Sequence, residues 1–352
     1  MVHRSLLIAG AALVVLPIVL AGCSASVYRD VYPTLSDGHY DSEFPYRGCS
    51  KQLEEISESV NMLSCIAYYR TYFFLPEEHV TRGVIDAKFL RSRERSSVYV
   101  NNTASGTITT LQYTEHRILV LTCAHVVDFE DTVVNYHIGE DRRPTAYIRS
   151  IAFKDKQSNY AAVFPEGGDL EVLALDRQAD IAVLGKRLDQ DPPMPLPVFT
   201  YPFGRAKELE WGSFVYLFGY PSGYKMATKG IVSNPNKDRR GMFMVDAMFS
   251  RGFSGGIVLA IRDGVPNFEL VGMIKLVSAH SSFVLTPEKD GGDLVFDPTV
   301  PYTGAIYVER KTEVESGITQ AVSIESICDF MRTEEPVLRS KGYRIRPALK
   351  GE

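Results

Sequence analysis

The sequence predicts an all-β domain, a barrel or a sandwich, with one C-terminal helix and an added helical segment before it. Three observations predict this. From residue 96 onward, short runs rich in Val, Ile, Thr and aromatics follow one another. HRILVLTC, DIAVLGK, SFVYLFGY and GGIVLAI are examples, and Gly, Pro, Asp and Asn fill the gaps. A helical pattern returns only in SIESICDFMRTEEPVLRS, where Ser323 can cap and Ile324, Ile327, Cys328 and Met331 form an apolar face. Residues 50–70 place Leu53, Ile56, Val60, Leu63 and Ala67 at spacings of three and four, with Glu54, Glu55, Glu58 and Asn61 opposite. Many short strands followed by a terminal helix make a β-barrel or sandwich domain. The sequence contains neither an internal repeat nor a low-complexity block.

The elements follow in order. The chain opens with His3 and Arg4, an apolar run and small residues, the pattern of a secretory signal. The run from Leu6 to Ala21 is shorter than the roughly 20 apolar residues of a membrane span. Leu20-Ala21-Gly22-Cys23 resembles the bacterial lipoprotein signal, in which the cysteine carries lipid and becomes the mature N-terminus. The resemblance implies a signal peptide over 1–22, lipidation at Cys23 and a membrane anchor in the cell envelope, facing the periplasm. Ser24, where an Asp would retain the protein at the inner membrane, favours the outer membrane. The alternative is an ordinary secretory signal or an uncleaved anchor, with Cys23 incidental.

Residues 23–48 are polar, with Pro, Gly and Tyr and no period, and read as a tether. Residues 49–95 form an N-terminal helical extension. Its helix over 50–70 either packs on the main domain or docks a second copy or a partner protein. One helix over 50–65 would set Cys49 and Cys65 on the order of 24 Å apart, whereas a disulfide needs Cα atoms within about 7 Å. They pair only if that helix breaks. Five cysteines make no disulfide framework, although export would allow Cys49, Cys65, Cys123 and Cys328 one or two bridges. The net charge of −5, with no long run of Lys or Arg, gives no reason to expect a nucleic-acid partner.

The chemistry sits where apolar runs meet small residues. GFSGG places Ser254 between glycines at the entry to an apolar run. A serine hydroxyl needs a base, the base needs a group to hold its tautomer, and the transition state needs donors for an oxyanion. His125, in RILVLTCAHVVDF, is the candidate base; His116 and His137 lie in polar stretches. Asp180, leading into Ile-Ala-Val-Leu, is the candidate orienting carboxylate, with Asp169 and Asp176 as fallbacks. A carboxylate at the edge of a buried strand is costly unless paired. Gly252 lets the backbone turn so that its N–H and that of Ser254 point into one pocket. Each feature also has a plain reading: a satisfied buried histidine, a strand-start aspartate, a glycine-rich turn.

Together, TCAHVV, ADIAVL and GFSGGIV appear in the order His, Asp, Ser. In this the sequence resembles the chymotrypsin-fold, trypsin-like serine proteases, in particular the Deg/HtrA-like branch, with its T-N-A-H-V-V, D-[IL]-A-[VL]-L and G-N-S-G-G motifs. The segment 213–234 and GITQAVSIESI extend the likeness, which covers about residues 96–332. It implies two six-stranded β-barrels, about 96–200 and 205–322, within a protease domain over 96–332, and a tail over 333–352. It implies a serine endopeptidase acting on polypeptides, with catalytic His125, Asp180 and Ser254, an oxyanion hole from the Gly252 and Ser254 N–H groups, and no metal or cofactor. Met248, near the base of the primary pocket, and Lys275, on the strand lining the cleft, would be substrate-pocket residues. With no Asp at the base, a mid-sized apolar preference is expected rather than a basic one.

Three departures stand out. Phe253 replaces the usual Asn or Asp, which removes the ion pair of zymogen activation and places a bulky ring beside the oxyanion loop. Cys123 replaces the usual Asn before the histidine. The closing helix lies close to the last residue given, so regulation by peptide capture on a PDZ domain is not expected. Residues 280–304 read as a long loop near the cleft. The alternative to an active protease is a catalytically silent module of the same fold that binds peptides or a protein partner. A structural lipoprotein with a β-sandwich would require the three motifs and their order to be coincidental.

Overall fold

The computed structural model describes residues 33–45, 47–93, 96–235, 242–248, 250–275, 279–287, 299, 301, 303–314 and 317–351. The expected signal peptide and Cys23 lie outside the described residues, as does most of the expected loop over 280–304. No helix among the described residues is long and apolar enough to cross a membrane.

The first antiparallel sheet contains β1 (Val60–Phe73), β2 (Val98–Thr114), β3 (Arg117–Thr122), β4 (Thr132–Ile138), β5 (Pro144–Tyr160), β6 (Glu171–Asp176) and β7 (Ile181–Arg187). Their order is β4-β5-β1-β2-β3-β7-β6, and the sheet curls into a half-barrel. The second sheet is a closed barrel of β8 (Phe214–Gly219), β9 (Met226–Asn234), β10 (Met242–Asp246), β11 (Ile257–Ile261) and β12 (Phe268–Lys275). After a separate hairpin of β13 (Ala279–Pro287) and β14 (Ile306–Val314), β15 (Thr319–Ser323) inserts between β10 and β12 to complete it. β3, β7 and β11 are the apolar heart of the two units. Every residue of β11 is buried, as are five consecutive residues of both β3 and β7. This is the double-barrel architecture the sequence predicts, with the first unit seven-stranded and curled rather than six-stranded.

The helix expected over 50–70 is corrected. Only α1 (Ser50–Glu58) is helical; the chain then becomes β1 at Val60. Side chains end the helix. The Ser59 hydroxyl and backbone N–H both donate to Ile56 O, and the Asn61 side-chain amide donates to Glu58 O. Carbonyls of the last turn are thus taken by groups that cannot continue it. β1 pairs with β2 on one side and β5 on the other, so the first sheet begins well ahead of the expected boundary at 96. The only other α-helix before that boundary is the short α2 (Ala87–Ser92) among the described residues, capped by the Asp86 carboxylate.

Three further expectations are revised. The tether over 23–48 is not free throughout, because Tyr40 and Asp41 are buried against the second barrel. The residues 333–352 are not a loose tail. α4 (Ile324–Thr333) is followed by α5 (Glu335–Ser340), and Leu338, Tyr343, Ile345 and Leu349 join the core. The start of 280–304 is strand, not loop. Ser323 caps α4 through the Ser326 N–H, and Ile324, Ile327, Cys328 and Met331 are buried, as the sequence predicts. Cys49, Cys65, Cys123 and Cys328 are buried and free, although the helix between the first two does break.

Candidate active site

The register of two strands brings His125 and Asp180 together. β3 runs antiparallel to β7, and its last pair is Thr122 with Ala182. The residues following β3 therefore meet those preceding β7. His125 lies on a single helical turn, α3 (Ala124–Val127). Asp176 shapes the approach to Asp180: its carboxylate accepts the Gln178 and Ala179 N–H groups at 2.7 and 3.0 Å, closing a turn. Asp180 then adopts φ +61°, a left-handed conformation that aspartate tolerates better than most residues.

Asp180 is only 5 % exposed. Its carboxylate accepts the His125 backbone N–H at 2.9 Å, and His125 Nδ1 lies 2.8 and 3.0 Å from its two oxygens. The burial cost of the carboxylate is thus met by one residue, through ring and backbone. A carboxylate only accepts, so the Nδ1 proton faces Asp180 and leaves Nε2 to accept. The ring itself is exposed.

His125 and Ser254 line one groove of about 540 Å³, together with Gly252, Arg251, Ser105 and Cys65 among others. Ser254 is 3 % exposed and enters β11 through a loop that glycines make feasible. Gly252 has φ +93° and Gly255 has φ +87°. A Cβ on Gly252 would sit 2.4 Å from Tyr220 O, and one on Gly255 would sit 2.1 Å from Thr107 O. Backbone carbonyls cannot yield that space, so both positions require glycine.

The loop also sets the direction of two N–H groups. A trans peptide points its C=O and the next N–H to opposite sides. Arg251 O accepts the Ser222 N–H at 2.7 Å, and Phe253 O accepts the Gly256 N–H at 3.0 Å. The Gly252 and Ser254 N–H groups are turned away from those anchors, and neither donates to an acceptor among the described residues. Cys65, the other nucleophilic atom type in the groove, is disqualified by its state. Burial pushes its thiol up to about 12, so it stays protonated near neutral pH. A larger hollow of about 670 Å³, between residues 202–208 and α4, contains no histidine.

The trypsin-like peptidase domain family matches residues 96–273, half of the chain. The chain belongs to that family. The matched residues form its trypsin-like peptidase domain. Among solved structures, a serine endoprotease from Yersinia pestis is similar at 17 % identity, over 67 % of this chain and 60 % of that one, with a TM-score of 0.34. The peptidase thus spans about 60 % of that protein's length. No curated protein matches it.

Other residues singled out in the peptidase sequence fall elsewhere. Met248 is 75 % exposed and does not line the groove shared by His125 and Ser254. Lys275 ends β12 half-buried, paired with Gln320 in the barrel, and does not line that groove either. His116 faces Asp191 on the surface, and His137 Nε2 faces Phe74 O. Asp169 accepts the Ser158 hydroxyl.

The two substitutions within the motifs are now placed. Phe253 is 1 % exposed, with its ring against Gly219, so its bulk lies in the core and not over the groove. Cys123, His125 and Asp180 bring one donor atom each within 4.8 Å of one another. The Cys123 thiol, however, donates to Ile274 O at 3.1 Å. Burial, reinforced by the charge of Asp180, pushes it well above its usual range. The set is a His–Asp pair with the Cys123 thiol packed behind it. Sequence reasoning missed Thr107, Tyr220 and Ser222, which hold the serine loop. The likeness of the 213–234 segment to the family pattern was the one signal that could have pointed to the last two.

Proposed function

We propose that this protein is a lipid-anchored serine endopeptidase of the bacterial cell envelope, facing the periplasm. Ser254 attacks the scissile carbonyl while His125 Nε2 takes its proton. Asp180 holds the Nδ1 tautomer and stabilises the imidazolium that forms. The Gly252 and Ser254 N–H groups bind the oxyanion. His125 then returns its proton to the leaving amine, and water hydrolyses the acyl-enzyme. The observation that carries this reading is the His125–Asp180 contact of 2.8 Å beside a groove that Ser254 shares. The anchor rests on Leu20-Ala21-Gly22-Cys23 alone.

The test compares wild type with Ser254→Ala, using an unfolded protein substrate and a fluorophosphonate probe. Wild type labels and cleaves, and Ser254→Ala does neither. Labelling that survives Ser254→Ala would refute the nucleophile. No labelling of wild type would favour the second reading, a silent peptide-binding module. The anchor is read separately, by fatty-acid labelling that Cys23→Ala abolishes.

A further inference from the structure

We infer that Thr107, a residue of the first sheet, is the positioning residue that sets the serine loop of the second barrel before substrate arrives. The inference rests on the peptidase reading above and names a device within it.

Thr107 lies on β2 and is 0 % exposed. Its hydroxyl has two neighbours: the Tyr220 N–H at 2.9 Å and Gly252 O at 2.8 Å. An N–H can only donate, so the hydroxyl oxygen accepts from Tyr220. Its single proton is then committed to Gly252 O. The backbone of Thr107 is equally occupied. Its N–H donates to Ser254 O at 2.8 Å, and its C=O accepts the Thr122 hydroxyl at 2.7 Å. One side chain and one amide from the first sheet thus hold two carbonyls of the loop, two residues apart.

Those carbonyls lie on the peptides next to the ones that carry the loop's donors. Three consecutive peptides run from Arg251 to Ser254. The first is anchored by Ser222 and the third by Gly256, both within the second barrel. The middle one, Gly252–Phe253, has its N–H on Ser250 O and its C=O on the Thr107 hydroxyl. The two donors belong to its neighbours, the Gly252 N–H to the first peptide and the Ser254 N–H to the third, so the torsions on either side of the middle peptide set one donor relative to the other. The hydroxyl holds that joint from across the interface. Because it also holds the Tyr220 N–H, it fixes the loop against the segment that Gly252 touches. The neighbouring Phe253 ring, buried against Gly219, holds the same joint from the second barrel.

Thr107→Val keeps the volume and removes the hydroxyl; Thr107→Ser keeps the hydroxyl. Donors aimed in advance at a developing oxyanion are worth on the order of 100-fold in kcat. Thr107→Val is therefore expected to lower kcat about 10- to 100-fold with KM changed less than about 3-fold. It should weaken a peptide boronate inhibitor, which presents a tetrahedral oxyanion mimic, by a similar factor. The pH profile of kcat should keep its shape, because the His125–Asp180 pair is untouched, and Thr107→Ser should recover most of the loss. If Thr107→Val does not fold, Thr107→Cys, which keeps a weaker donor, is expected to show an intermediate loss. Active wild type with a valine or cysteine variant unchanged in kcat and boronate affinity would overturn the positioning role and leave the peptidase reading intact. Wild type that neither cleaves nor labels would overturn both.

Discussion

The Phe253 ring occupies space that Gly219 leaves open: a Cβ on Gly219 would lie 2.4 Å from a ring carbon. Phe253→Ala empties that space and is expected to cost about 3–5 kcal/mol, read as a lowered Tm. An unchanged Tm would mean that the loop, not the core, carries this side chain. The same scale shows what the sequence disclosed. His125, Asp180 and Ser254 were legible as candidates because each sits where an apolar run meets small residues, within a motif of a few positions. Thr107 was not. Its hydroxyl partners lie 113 and 145 positions away, and nothing in GTITT separates it from a strand residue.

At the scale of elements, β1 shows how a strand can imitate a helix. Its buried residues alternate: Leu63, Cys65, Ala67, Tyr69 and Thr71 face inward. The intervening Met62, Ile66, Tyr68 and Tyr72 are also apolar or aromatic, so no period of two is visible in the sequence. Leu63 and Ala67 happen to continue the spacing begun by the true helix α1. The aromatic and β-branched run after residue 67 was the stronger signal. The docked segment around Asp41 makes a different prediction. Asp41 N–H donates to Ile261 O, Phe214 N–H donates to Asp41 O, and Gly264 N–H donates to the carboxylate. Burial, aided by the charges of Glu43, Asp263 and Asp37, pushes this carboxyl from 3.8 up to about 6. The docked segment therefore holds its proton more tightly than a released one. That stabilisation is complete below about pH 4 and is lost as pH rises through about 6, a change of at most about 3 kcal/mol. Amide exchange at Asp41 and Phe214, corrected for its intrinsic pH dependence, should show weaker protection at pH 7 than at pH 5. Asp41→Asn should remove most of that difference, and an equal difference in the variant would contradict the assignment.

At the scale of the whole molecule, each end of the described chain lies on the barrel it does not build. Residues 37–41 rest on the second barrel before the chain enters β1, through Arg262 to Gly38 O and Tyr40 to Glu269. After α4 the chain returns to the first sheet. Gln112 donates to Arg344 O and accepts the Arg346 N–H, and the Arg346 guanidinium donates to Leu111 O. Deleting residues 334–352 would strip Leu338, Tyr343, Ile345 and Leu349 from the core. At about 1.5–3 kcal/mol for each buried side chain, the loss is comparable to a domain's total stability. The truncated protein is expected to be unfolded or to melt more than about 10 °C lower; a Tm within a few degrees of the full chain would show that the segment is dispensable. The crossed ends also bear on time. His125 and Asp180 belong to one barrel and Ser254 to the other, so inactivation by separation requires both crossings to let go in the same event. The working lifetime of such a molecule is set by its rarest opening, not by the fraying of either end.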